Sequence, residues 1–257
     1  MSHDVRVKLI ADTDSSVTLS RPSKPSLGSG AAWIWVALSS LAIVGYAVTP
    51  YVTASLADLA ADHVGLAQDY LNQPLPVVVA FYAHVISGGI VLLLSPVQFI
   101  GALRARTPRL HRWIGRLILL SVAVAGVSAL VIAPFSPAGL SGLFGFGMMA
   151  ALWLGTAAAA YRAIRRRDVP SHRAWMIRNF ALTYSAVTLR VWMGLLIFAQ
   201  VPFGGFEFDS AFSNAYSVVP FLGWIPNLVV AELIIRRRGL PTFRLVSDTT
   251  RIRAVQP

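Results

Sequence analysis

Six apolar runs, each long enough to cross a bilayer, decide what this chain can fold into. A helix rises about 1.5 Å per residue, so roughly 20 apolar residues span a hydrocarbon core of about 30 Å. Runs of this kind occupy residues 31–51, 77–103, 108–132, 143–164, 175–199 and 216–235. In lipid each such segment must satisfy its own backbone N–H and C=O groups, which a helix does. The expected fold is an all-α polytopic membrane protein of six transmembrane helices, spans two to five forming a central four-helix bundle. Composition agrees, with 56% apolar and 13% charged residues and a mean hydropathy of +0.64. Soluble chains carry about 25% charged residues.

Charge placement orients the expected helices. Every Lys and Arg except Arg190 falls in the N-terminal tail, in residues 104–116, in residues 162–178 or from Arg236 onward. The intervening loops, 52–76, 134–142 and 200–215, hold no Lys or Arg but contain Asp58, Asp62, Asp69, Glu207 and Asp209. Cytoplasmic loops collect Lys and Arg, so both termini are expected inside the cytoplasmic membrane. The net charge of +11 then serves orientation and attraction to anionic headgroups, with nucleic acid excluded as a partner.

Between the spans, residues 1–30 are polar and aperiodic and predict a disordered cytoplasmic tail. The transmembrane domain is expected over 31–236, and a second cytoplasmic tail over 237–257. In 53–72, Leu56, Leu59, His63, Leu66 and Tyr70 recur at helical spacing, which predicts one amphipathic helix on the outer membrane surface. Pro96 predicts a kink beside Gln98, and Pro220 and Pro226 interrupt the sixth run. The series Gly139, Gly142, Gly145 and Gly147 follows no strand, so it predicts close helix packing and no phosphate loop.

Polar groups inside the runs are the functional candidates, because ionisable residues at membrane depth are costly and usually have a role. His84, Gly88, Val91, Ser95 and Gln98 make one small or polar stripe on the second span. His111 and His172 each open a span, with Arg112 and Arg116 following the first and Arg173 and Arg178 the second. His84 and Arg190 are expected at one depth, about 10 Å from the outer surface. Gln98, His111, His172 and Glu232 are expected near the inner one, where Glu232 can pair with a tail arginine. The chain has no cysteine, which excludes thiolate metal sites, iron–sulfur clusters and covalent haem. A metal would fall to His111, His172 or His84.

Five sequence patterns carry a family resemblance: His84-x-x-x-Gly88, Pro96-x-Gln98, Leu110-His111-Arg112-x-x-Gly115-Arg116, His172-Arg173-x-Trp175-Met176-x-Arg178 and Leu189-Arg190. In them the chain resembles a bacterial membrane-protein family known as domain of unknown function 2306. The resemblance implies the topology and the importance of these residues, and no reaction. A looser likeness is to four-helix b-type membrane cytochromes, whose histidines on neighbouring helices hold haem.

Three functions are expected from these residues. The first is a b-type cytochrome-like protein with non-covalent haem b between His111 and His172. In it His84 and Arg190 serve a quinone or a second haem, and Gln98, Arg116 and Arg178 lie near the cofactor. The second is a small-molecule or lipid transporter whose polar stripe lines a cavity. The third is a non-catalytic membrane partner. His111, His172 and the arginines beside them can equally meet lipid phosphates.

Overall fold

The computed structural model describes residues 27–201 and 206–242, and six helical spans run through them: Gly30–Ala47, Leu75–Gln98, Pro108–Phe135, Gly139–Arg165, Val169–Gln200 and Phe208–Arg237. The expected tails, 1–30 and 237–257, lie mostly outside the described residues. Where they overlap it, α1 (Leu27–Ala47) already begins at Leu27, and the sixth span ends at Arg237.

After α1 comes α2 (Thr49–Thr53), then α3 (Leu56–Ala61) and α4 (Ala67–Leu71). The single amphipathic helix expected over 53–72 is therefore two short helices. His63 and Gly65 break it by adopting left-handed backbone, φ 55° and 58°. Gly65 is required there twice over, since a Cβ would also meet the Tyr51 hydroxyl at 2.5 Å. That hydroxyl accepts the Leu66 N–H at 3.0 Å and closes the turn. The apolar face turns inward: Leu56, Leu59, Ala67 and Tyr70 pack with Val77 and Phe81. His63 stays exposed, its Nδ1 accepting from Gln68 Nε2 at 2.8 Å.

The second span is α5 (Leu75–Gln98), and the basic turn after it folds as α6 (Gly101–Arg106). Pro96 lies inside α5, and its carbonyl accepts the indole N–H of Trp33 at 2.9 Å, tying α1 to this end. Next come α7 (Pro108–Ile132), a 3₁₀ turn at Ala133–Phe135 and α8 (Gly139–Arg165). Proline at the start of α7 suits a helix N-terminus, where its missing N–H is not needed.

Two spans are broken. The fifth consists of α9 (Val169–Thr183) and α10 (Ser185–Gln200), meeting at Tyr184. The sixth consists of α11 (Phe208–Leu222) and α12 (Ile225–Arg237), separated by Gly223 and Trp224. Where a span is interrupted, carbonyls left without a backbone donor need new ones in a membrane. Side chains provide them. Thr188 Oγ1 donates to Gly223 O at 2.6 Å, and Asn227 Nδ2 donates to Ala181 O, Thr188 Oγ1 and Gly223 O at 2.9–3.2 Å. The two interruptions are thereby joined.

Helix α5 packs on α7, α7 on α8, α8 on α9, and α9 returns lightly to α5. Val91, Ile118, Val122, Ala125, Trp153 and Leu182 form the shared core of this bundle. Outside it, α1 lies on α5, α11 on α8 and α10, and α12 on α9. Of the glycine series, Gly145 packs helices, since a Cβ there would sit 2.5–2.9 Å from Pro220 of α11. One on Gly142 would strike Ser136 of the preceding turn, and Gly139 serves a left-handed backbone, φ 58°. The apolar side chains left exposed on α1, such as Trp35, Leu38 and Leu41, suit a lipid-facing surface.

Candidate functional site

The polar candidates fall in two layers. His84 Nδ1 lies 2.9 Å from Ala125 O on α7, whereas Gln98, one end of α5 away, donates Nε2–H to His111 O at 3.1 Å. Ala125 and His111 are 14 residues apart on one helix, about 21 Å along its axis. His84 therefore shares no ligand with His111.

The layer at the basic end is built on the starts of α7 and α9. Asp168 caps α9 by accepting the Ser171 N–H at 3.0 Å, and His172 follows in that first turn. These hydrogen bonds hold the Asp168 carboxyl below its usual value. His172 Nδ1 lies 2.9 Å from Ala160 O on α8. A carbonyl only accepts, so Nδ1 carries a proton, and in a neutral ring the lone pair is then on Nε2. Fixing one imidazole nitrogen on a backbone carbonyl is how proteins orient a histidine that ligates metal.

His111 differs. Its Nδ1 is enclosed and has no hydrogen-bond partner, the only such ring nitrogen among the described residues. It lies within electrostatic reach of His172, Arg104 and Arg112. Gln98 acts on it only through the backbone, and so positions the first turn of α7.

The neighbouring arginines divide. Arg112, Arg116 and Arg173 are exposed, and Arg116 stacks over Trp113 at 5.5 Å. Arg178 is buried at 4% exposure, binds Glu232 through Nε at 2.5 Å and Nη2 at 3.0 Å, and stacks on Trp175 at 4.7 Å. Glu232 thus takes its arginine from α9 and braces α9 against α12. A cavity of about 430 Å³ opens beside this pair, lined among others by Thr156, Trp175, Leu182 and Trp224.

At the opposite end, Arg190 donates Nη1–H to Ala186 O at 2.6 Å and sits 6.0 Å from the Tyr46 ring. Tyr46, Tyr51, Tyr216 and His84 all lie within its electrostatic reach. The three tyrosines come from separate segments, and no local pattern announces them. Also unannounced is a buried network between α8 and α9. Asn179 Nδ2 donates to Trp153 O and Thr156 Oγ1, and Trp153 Nε1 to Thr183 Oγ1, each at 3.0 Å. The signal was available: Asn179 is a lone amide inside an apolar run, where polar side chains need helix partners.

No group of three or more His, Asp or Glu among the described residues is arranged to hold a metal ion. Two imidazoles, His111 and His172, are what one end of the bundle offers.

A family model described as "Predicted membrane protein (DUF2306)" matches residues 81–235, well over half of the chain. The chain belongs to that family. The match runs from within α5 into the last turn of α12 and takes in His84, Gln98, His111, His172, Arg178, Arg190 and Glu232, but not Tyr46 or Tyr51. No curated protein and no solved structure matches the chain. The likeness to b-type cytochromes finds no support there, so a haem has to be argued from the histidines alone.

Proposed function

We propose that this DUF2306 protein is a membrane electron carrier in which His111 on α7 and His172 on α9 would hold one non-covalent haem b. The observation that carries the proposal is the enclosed, unpartnered imidazole nitrogen of His111 within electrostatic reach of His172, whose own ring is held at Nδ1 by Ala160 O. An enclosed polar atom without a partner costs about 1–3 kcal/mol, which an unsupplied ligand would offset. Two protein ligands fit a metal whose other positions are filled by a macrocycle. When bound, haem supplies one-electron chemistry between ferrous and ferric iron. The chain's own residues orient the imidazoles, through Ala160 and Gln98, and exclude water with the core of α5, α7 and α8. Arg104 and Arg112, within electrostatic reach of His111, would countercharge the haem propionates, and Arg116 and Arg173 remain for propionates or lipid phosphates.

We also propose that this basic end faces the cytoplasm, from the segregation of Lys and Arg. Reporter fusions after residues 64 and 208 then read the outer side, and fusions after 106 and 168 the cytoplasm. A cytoplasmic signal at 64 reverses the arrangement.

The joined breaks at Tyr184 and Gly223 favour a second function, because discontinuous helices mark many transporters. Absorption spectra separate the two. After expression with haem supplied, the wild type is expected to show a Soret band that shifts on reduction. His111→Ala and His172→Ala each lose it, and Arg173→Lys keeps most of it. A colourless wild type overturns the electron-carrier proposal in favour of transport.

A further inference from the structure

The sixth span breaks at Gly223 and Trp224, near its middle, and α12 runs from there to the basic end. On α12, Ile225, Leu228, Val229, Glu232, Leu233 and Arg236 recur at helical spacing and share one face, and all of them line the cavity of about 430 Å³. Helices α8 and α9 supply its other walls through Thr156, Trp175 and Leu182. Ile225, Val229 and Leu233 are exposed, as is Leu152 on the α8 wall, and at membrane depth exposure is to lipid. The cavity is thus a groove open to the bilayer.

Its length matches one leaflet. Ile225 and Arg236 are 11 residues apart, about 16 Å along the helix axis, against about 15 Å for half of a hydrocarbon core. Its chemistry changes along that length. Beside the helix break the walls are aliphatic side chains and the Trp224 indole. One turn before the surface end, Glu232 is held by Arg178 Nε at 2.5 Å and Nη2 at 3.0 Å, a pair neutral overall. At Trp175 and Arg178 the groove adjoins a smaller cavity of about 150 Å³, where Ser171 and Thr242 supply hydroxyls. Arg236 ends the groove, exposed and without a carboxylate partner among the described residues. The charges on the lining therefore leave one net positive charge, at the headgroup end.

An apolar chain one leaflet long, ending in an anion, fits this gradient. A zwitterionic lipid supplies the chain but brings a cation to Arg236. A fatty acid of the same reach ends its chain beside Glu232, a like charge. A phospholipid places its esters at that level and its phosphate a turn further out, where a guanidinium can bind it through two N–H donors.

We infer that the groove between α8, α9 and α12 binds one anionic phospholipid of the leaflet at the basic end, with an acyl chain along α12 and the phosphate on Arg236. Neither His111 nor His172 lines the groove, so its occupancy does not depend on haem.

The test is native mass spectrometry of the purified, delipidated full-length protein in detergent. It is titrated with palmitoyl-oleoyl phosphatidylglycerol, with phosphatidylcholine of the same chains, or with oleate. Wild type is expected to bind one phosphatidylglycerol at least tenfold more tightly than either of the others. Val229 lies on the exposed rim, so Val229→Trp fills the groove without entering the core, and it weakens phosphatidylglycerol binding at least tenfold. Arg236→Gln brings phosphatidylglycerol down to the affinity of phosphatidylcholine. Arg166→Gln, which removes an exposed charge at the same end outside the groove, leaves the preference unchanged. No preference in wild type, wild-type binding by Val229→Trp, or an equal loss in Arg166→Gln overturns the site. Oleate binding as tight as that of phosphatidylglycerol and blocked by Val229→Trp overturns the phospholipid and identifies a free fatty acid. Should Val229→Trp fail to fold, the contrast between Arg236→Gln and Arg166→Gln, both surface changes, decides.

Discussion

The Nδ1 of His172 lies 2.9 Å from the carbonyl oxygen of Ala160, one helix away, and must carry the proton of that bond. The bond does two things. It locks the ring of a residue in the first turn of α9 against the last turns of α8, and it leaves Nε2 as the nitrogen that carries the lone pair of a neutral ring. Packing and ligation can be separated at this residue. A glutamine can still donate to Ala160 O but is a poor axial ligand. His172→Gln is expected to retain wild-type thermal stability to within about 1 kcal/mol, the worth of one hydrogen bond, and to lose bound haem. Retention of haem by a well-folded His172→Gln protein removes His172 as a ligand.

The Arg178–Glu232 pair is a brace between α9 and α12, and its energetics are asymmetric. Removing one partner leaves the other charge stranded in low dielectric, at a cost of about 3–5 kcal/mol for a buried pair. Glu232 keeps a third of its side chain exposed, so the lower end of that range applies. Arg178→Met is expected to lower the melting temperature more than the double replacement Arg178→Met with Glu232→Leu. A double variant no more stable than Arg178→Met shows that the charges themselves are not what matters.

The cap at Asp168 gives a pH dependence. Its hydrogen bonds to Ser171 hold the carboxyl below the unfolded value of 3.8. The folded state therefore binds this proton less readily, and the cap's contribution is present above pH 4 and fades as pH falls through the depressed value. Asp168→Ala is expected to unfold at lower temperature than wild type at pH 7, and to converge with it as pH falls through the depressed value. A difference that stays constant with pH assigns the effect to something other than the carboxylate.

Six spans were legible because apolar length alone encodes them, and the two layers of polar residues because depth follows from counting along a helix. What escaped was whatever depends on tertiary pairing. Glu232 was expected to find an arginine in its own neighbouring tail, but it bonds Arg178, 54 residues earlier, since α12 lies along α9. The broken spans hold together through Thr188 and Asn227, which carry no local sign of their partners. The helix expected over 53–72 failed for a local reason: the 3–4 spacing persisted through His63 and Gly65, but these residues adopt left-handed backbone and turn the chain onto α5. The tyrosines around Arg190 come from α1, α2 and α11, segments that only the fold brings together.

The central claim is that His111 and His172 ligate one iron, and low-temperature electron paramagnetic resonance of the oxidised, haem-supplied protein tests it most directly. The predicted spectrum is that of six-coordinate, low-spin ferric haem, converted to a high-spin signal or lost in both His111→Ala and His172→Ala. A wild type without a haem-iron signal, or a low-spin signal unchanged in either variant, contradicts it.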